Sequence, residues 1–120
     1  MTGPEADAPR GTCGCENATA PYTHFTTREV GRDDTEGRFA DVDIEQCVVC
    51  GRHWLRYHVE HEAFSRSGRW ARGLVSADLA ATITPEEAAP YLHSLDWYLY
   101  GGSYFGGTSG RRRGPMNWGI

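Results

Sequence analysis

The chain has four cysteines, in two close pairs: Cys13-Gly14-Cys15 and Cys47-Val48-Val49-Cys50, the second followed by Gly51. Paired thiols can bind a soft metal, cycle as a redox disulfide, or lie inert as small buried groups. Structural zinc requires four soft ligands in a tetrahedron with Zn–S about 2.3 Å, which puts neighbouring sulfurs roughly 3.8 Å apart. A CxxC turn spans that separation easily. Gly51 can take positive φ and let the backbone N–H groups of the turn face the thiolates. The CxC pair is tighter, and Gly14 removes the side chain that would obstruct it. A redox pair would leave Cys13 and Cys15 unexplained and lacks a βαβ context. Iron and buried free thiols are the other readings. The pattern predicts one Zn²⁺ on Cys13, Cys15, Cys47 and Cys50. With every position filled by protein, such an ion staples the chain and has no place for substrate.

A second set of chemistry-bearing residues follows: His58, Glu60, His61 and Glu62. On a strand, His58, Glu60 and Glu62 share a face with Arg56. That arrangement reads as a cross-strand charge ladder with Asp41, Asp43 and Arg72 in preference to a second metal site or an acid–base pair. His24, His53 and His93 stand alone in sequence. No glycine-rich phosphate loop precedes a helix, and no serine or cysteine nucleophile has a recognisable setting. The pattern favours a protein that is not an enzyme.

Elements must bring the two cysteine pairs together. Tyr22–Val30 is rich in β-formers and predicts a strand; Gly31–Gly37 is turn chemistry. Arg38–Gln46 alternates, with Ala40, Val42 and Ile44 on one face and Asp41, Asp43 and Glu45 on the other. A second alternation runs from Arg52 to Phe64, and Arg69–Val75 suits a fourth strand. In such a meander the start of the first strand lies beside the end of the second, so both cysteine pairs reach one end of the sheet. Thr84-Pro85-Glu86-Glu87 is a helix start with a capping box. Pro90 predicts a kink or a fresh start there. Leu92, Leu95 and Leu99 form a helical stripe that ends at Gly101-Gly102, although Trp97-Tyr98-Leu99-Tyr100 would also suit a strand.

Cys47-Val48-Val49-Cys50-Gly51 at a hairpin tip, with Cys13–Cys15 as its counterpart, resembles the zinc knuckles of zinc-ribbon and rubredoxin-like proteins. The resemblance covers only the four cysteines and their turns. It implies two knuckles round one metal, flanked by short antiparallel strands. The expected fold is α+β: a small antiparallel β-meander with a zinc-ribbon-like four-cysteine end and one C-terminal helix. Residues 1–12 are expected to be a flexible N-terminal segment, 13–100 the folded domain, and 101–120 a Gly/Arg-rich flexible tail.

The 120 residues suffice for one domain with a thin core, a size at which a structural metal often helps. No apolar run approaches the roughly 20 residues that span a bilayer. No signal peptide is visible, so the chain is expected in the cytoplasm, with no membrane partner. All twelve basic residues are arginine, which reads as GC-rich bacterial coding in preference to protection from lysine modification. The net charge is −4 and the acids concentrate in the first half, which argues against a broad nucleic-acid-binding face. The expected role is a protein-interaction module of the adaptor, inhibitor or immunity type. Its partner would meet Asp41, Asp43 and Glu45, or an aromatic–arginine patch of Trp54, Arg56, Trp70 and Arg72. The alternative is a nucleic-acid-binding zinc ribbon that acts through Arg111, Arg112 and Arg113.

Overall fold

The computed structural model describes residues 13–60 and 68–113. Six strands form one antiparallel sheet in strict chain order. They are β1 (Phe25–Asp33), β2 (Ala40–Cys47), β3 (His53–Val59), β4 (Arg69–Val75), β5 (Trp97–Gly101) and β6 (Gly110–Arg113). Two short helices, α1 (Ala77–Thr82) and α2 (Pro85–His93), connect β4 to β5. The fold is the α+β meander that the alternation predicts, extended by two strands and one helix.

Period-2 patterning decides which side chains meet. Ala40, Val42, Ile44, Leu55, Tyr57, Val59 and Ala71 are buried on the inner face. Ala80, Ile83, Ala88, Ala89 and Leu92 of the helical connection close over them. The helices lie close because Gly73 leaves room: a Cβ there would sit 2.3 Å from Leu95 Cδ1 and 2.7 Å from Leu92 Cδ2. At the far end of this core Asp33 is fully buried. It accepts from the Tyr57 hydroxyl and from Thr35 N–H (3.0 Å), while Arg38 Nη2 lies 3.3 Å away. Burial works against this carboxylate, but those donors hold it below the usual carboxylate range.

The elements depart from the sequence pattern in four places. Tyr22–His24 is a 3₁₀ turn, so β1 begins at Phe25; it then runs on through a bulge at Glu29/Gly31 to Asp33. The strand expected over Arg52–Phe64 ends at Val59; residues 61–67, with His61, Glu62 and Phe64, lie outside the described residues. The single helix becomes two, and its leucine stripe divides: Leu92 belongs to α2, whereas Leu99 belongs to β5. Pro90 does not break α2. It sits on the exposed side and three residues before the end, so the one backbone bond it forgoes leaves a carbonyl that water can reach. The capping box holds the other end, where Thr84 N–H donates to Glu87 Oε1 at 2.9 Å.

The fourth departure is in the segment expected to be a flexible tail. Gly110–Arg113 pairs with β5, from Tyr100↔Gly110 to Trp97↔Arg113. Arginine carries no apolar alternation, so nothing in the hydrophobic pattern announces this strand. Two guanidinium–ring contacts hold it instead: Arg111 lies 4.0 Å from the Trp97 ring centre and Arg112 4.4 Å from that of Tyr100.

Candidate metal centre

The β1–β2 register sets Phe25 opposite Cys47, and Val48 N–H donates to His24 O at 3.0 Å. The segment that enters β1 is therefore pinned beside the turn that leaves β2. Cys15 lies in a 3₁₀ turn, Gly14–Glu16, and Cys13 immediately precedes it. Cys47 is the last residue of β2 and Cys50 ends the turn after it. The four sulfur atoms all lie within 4.8 Å of one another. Two pairs cross between the motifs: Cys13–Cys47 at 3.5 Å and Cys15–Cys50 at 3.6 Å. These separations are close to the edge of a zinc–thiolate tetrahedron, roughly 3.8 Å.

Local backbone chemistry suits a metal-binding knuckle. Gly51 has φ 81°, and its N–H closes the turn onto Cys47 O at 3.0 Å. The N–H groups of Val49 and Cys50 face Cys47 Sγ at 3.3 and 3.4 Å, the donors that a charged sulfur needs. In the other motif a Cβ on Gly14 would meet His24 Cε1 at 3.3 Å, so glycine allows the close turn.

The electrostatics point the same way. Burial opposes ionisation of Cys13, but hydrogen bonds from the Cys15 backbone and the His24 side chain outweigh it and lower the thiol to about 6. Burial pushes both Cys15 and Cys50 upward. Four thiols this close cannot all ionise unaided; a cation at their centre would supply the compensating charge. The donor set also has a waiting partner. Trp54 Nε1 is buried without a hydrogen-bond partner, and Trp54 is a side chain that favours the Cys15 thiolate. The residues present fit a bound metal.

Around the sulfurs, residues 13–20 cross the outer face of the sheet as a strap. Glu16 pairs with Arg52 and, at 2.9 Å, with Arg111. Arg72 Nη2 reaches Asn17 O at 3.4 Å. Beneath the strap Cys15, Phe25, Cys47, Trp54 and Leu99 are buried together, with Ala18, Ala20, Trp70 and Trp97 against them. This second core revises the partner patch read from sequence. Trp54 is 0%, Arg72 4% and Glu45 8% exposed, because the strap covers the face that alternation alone assigns to solvent. Arg72 Nη1 pairs with Glu45 Oε1 at 3.1 Å, and its guanidinium lies 4.8 Å from the Phe25 ring, 5.2 Å from Trp70 and 5.8 Å from Trp54.

The other residues singled out by sequence fall as follows. Asp41 is exposed and pairs loosely with Arg32 at 3.5 Å. Asp43 stands opposite Arg56, and Arg56 opposite Arg72, which is the predicted ladder. Burial raises Asp43, and the neighbouring acids Glu45, Asp41 and Glu29 add to the rise against Arg56. Arg56 lies 5.9 Å from the Trp70 ring centre. His58 meets Glu60 at 3.6 Å. Glu62 lies outside the described residues. Among the described residues, the four cysteines are the only group of three or more His, Cys, Asp or Glu side chains close enough to share a metal. Arg111 and Arg112 stack on rings on opposite faces of β6, and Arg113 is exposed at its end. Sequence reasoning missed the Asp33–Tyr57–Arg38 network and the strap. The strap's only sequence signal is the small apolar pair Ala18 and Ala20.

No family model, curated protein or solved structure matches this chain. Fold and site define its class by themselves: a six-stranded antiparallel α+β protein with a four-cysteine cluster that could hold a metal at one end of the sheet. Among the described residues no helix is long and apolar enough to cross a membrane.

Proposed function

We propose that the protein is a zinc-stabilised, non-catalytic module that binds another protein. The observation that carries the metal part is the convergence of four sulfurs, with no carboxylate among them, at tetrahedral spacing. Thiolates at 3.5–3.6 Å select a soft ion such as Zn²⁺, which they would hold in a closed shell. Cys47 and Cys50 present the turn, Cys13 and Cys15 present the strap, and Arg52 with Glu16 stands beside them.

The binding part rests on what the fold leaves uncovered. Tyr22, Val48 and Val49 are 84%, 59% and 71% exposed at the metal end. Large apolar side chains held on a rigid turn suit a protein contact. Asp41 and Asp43 lie further along β2, towards its opposite end. The nucleic-acid alternative has less support. Arg111 is paired with Glu16, and the rings of Trp97 and Tyr100, which a base would need, already carry arginines.

Metal analysis of the purified chain tests the first part: one zinc per chain is expected, lost in Cys47→Ser. A metal-free, folded protein would refute it. For the second, Val48→Asp with Val49→Asp should abolish capture of a partner while the zinc content stays at one. Unchanged capture would refute this surface.

A further inference from the structure

The two faces of the sheet are closed by different means. Inside, α1 and α2 are continuous with β4 and β5 and bury their own apolar core. Outside, the cover is residues 13–20, and this strap does not pair with the sheet as a strand. Its backbone bonds turn inward: Glu16 N–H to Cys13 O (3.1 Å), Asn17 N–H to Gly14 O (3.0 Å) and Ala20 N–H to Asn17 O (3.0 Å). It is joined to the sheet by the sulfur cluster, the Glu16 pairs with Arg52 and Arg111, the contact of Asn17 O with Arg72, and the packing of Cys15, Ala18 and Ala20 on the aromatic layer. Two of the four candidate ligands, Cys13 and Cys15, belong to the strap, and the other two to the sheet.

We infer that the four-cysteine centre is a latch for one face of the molecule: with metal bound the strap is shut, and with metal removed it opens and uncovers Phe25, Trp54, Trp70 and Arg72, while the inner layer stays folded. The inference rests on the four cysteines binding metal as proposed above. Free thiols are poor clamps, since close sulfurs without a cation attract only weakly. The other ties include two ion pairs that share Glu16, one hydrogen bond at 3.4 Å, and the apolar contact of the small side chains Ala18 and Ala20 with the rings below. Against them stands the chain entropy that eight ordered residues regain on release, roughly 1–2 kcal/mol each. The inner core has no such dependence, because it is a cluster separate from the one that contains the cysteines.

Opening exposes surface of definite chemistry. Three indoles (Trp54, Trp70 and Trp97), Phe25 and Arg72 beside Glu45 would become one aromatic–arginine face on a rigid sheet. Tryptophan emission therefore reports the event: among the described residues, all three tryptophans lie in this layer, and Trp118 lies outside them.

The test is chelation of the full chain under a reductant, which keeps the close sulfur pairs from cross-linking the strap. Zinc release is followed with a colorimetric chelator, and amide exchange and tryptophan emission are read on the same sample. Expected on zinc loss are at least tenfold faster exchange at Glu16, Asn17 and Ala20, a red shift with several-fold greater acrylamide quenching, and unchanged protection in β2, β3 and α2. Cys13→Ser with Cys15→Ser should reproduce this state without chelator. Cooperative loss of protection throughout, or precipitation, overturns the latch, because the metal would then hold the whole fold. Unchanged exchange in the strap after verified zinc loss overturns it too. A chain that never contained metal fails the earlier reading, and the latch falls with it.

Discussion

The buried pair of Glu45 and Arg72 gives the sharpest quantitative test of how the outer face is built. Both side chains are at least nine-tenths buried, 3.1 Å apart, inside a layer of indole and phenyl rings. Removing one partner from such a pair leaves a charge with neither water nor counterion, at a cost of about 3–5 kcal/mol. Glu45→Ala should sit at the upper end. The Arg72 guanidinium would keep only Asn17 O and the ring faces, and its Nε has no hydrogen-bond partner even in the intact protein. For a domain of this size each kcal/mol moves Tm by about 4–8 °C, so a fall of at least about 12 °C is expected. Replacing both groups, Glu45→Leu with Arg72→Met, removes the stranded charge and should recover most of the loss. The exposed pair Arg32–Asp41 is the control: Arg32→Ala should cost under about 1 kcal/mol. Urea unfolding of the single variants, the double variant and the control gives all the free energies. If Glu45→Ala costs no more than Arg32→Ala, then water reaches Arg72, and the strap does not seal this face as described.

Three further outcomes follow from particular contacts. Gly102→Ala should destabilise by more than about 1 kcal/mol in urea melts, since φ is 123° and a Cβ would lie 2.4 Å from the Gly68 carbonyl oxygen, which is backbone and cannot step aside. Gly73→Ala should cost about 1–3 kcal/mol by forcing Leu92 and Leu95 apart, and a smaller residue at Leu95 should rescue it. Burial, with Arg56 beside it, lowers His58 below its ordinary 6.5. The unfolded chain then binds the proton more tightly, so His58 contributes a loss of stability as pH falls below about 6.5, levelling off beneath the folded value. His58→Gln should flatten that part of the stability–pH curve, and an unchanged slope would show that His58 is not its source.

Much of the sheet is legible in the sequence because its inner face obeys one rule. Ala40, Val42 and Ile44, then Leu55, Tyr57 and Val59, alternate with charge, and all six are buried as that pattern requires. Arg69–Val75 is a strand at the expected bounds. The cysteine cluster is legible for a topological reason: a meander returns the end of β2 to the start of β1 whatever the loop length. The misreadings share a cause as well. Leu99 fits a helical stripe and a strand equally, and only the pairing Arg72↔Leu99 decides between them. Gly110–Arg113 is held by arginines on rings, which a search for apolar periodicity passes over. The helix Ala77–Thr82 does carry a signal, Ser76 as N-cap, whose hydroxyl accepts from Leu79 N–H at 3.1 Å.

The outer face shows why alternation cannot by itself identify a binding surface. Asp43, Glu45, Arg56 and Arg72 look like a solvated ladder, because charges normally face water. Here a strap of eight residues lies over part of that ladder, and its charges are satisfied laterally instead: Arg72 by Glu45 and by rings on three sides, Glu16 by Arg52 and Arg111. A sheet with only two short helices can fill one face from its own elements. The second face is covered by a short segment that adds polar ties and a sulfur cluster to its apolar contacts. The four cysteines stand together where the strap meets the sheet, two in the strap and two at the end of β2 and its turn.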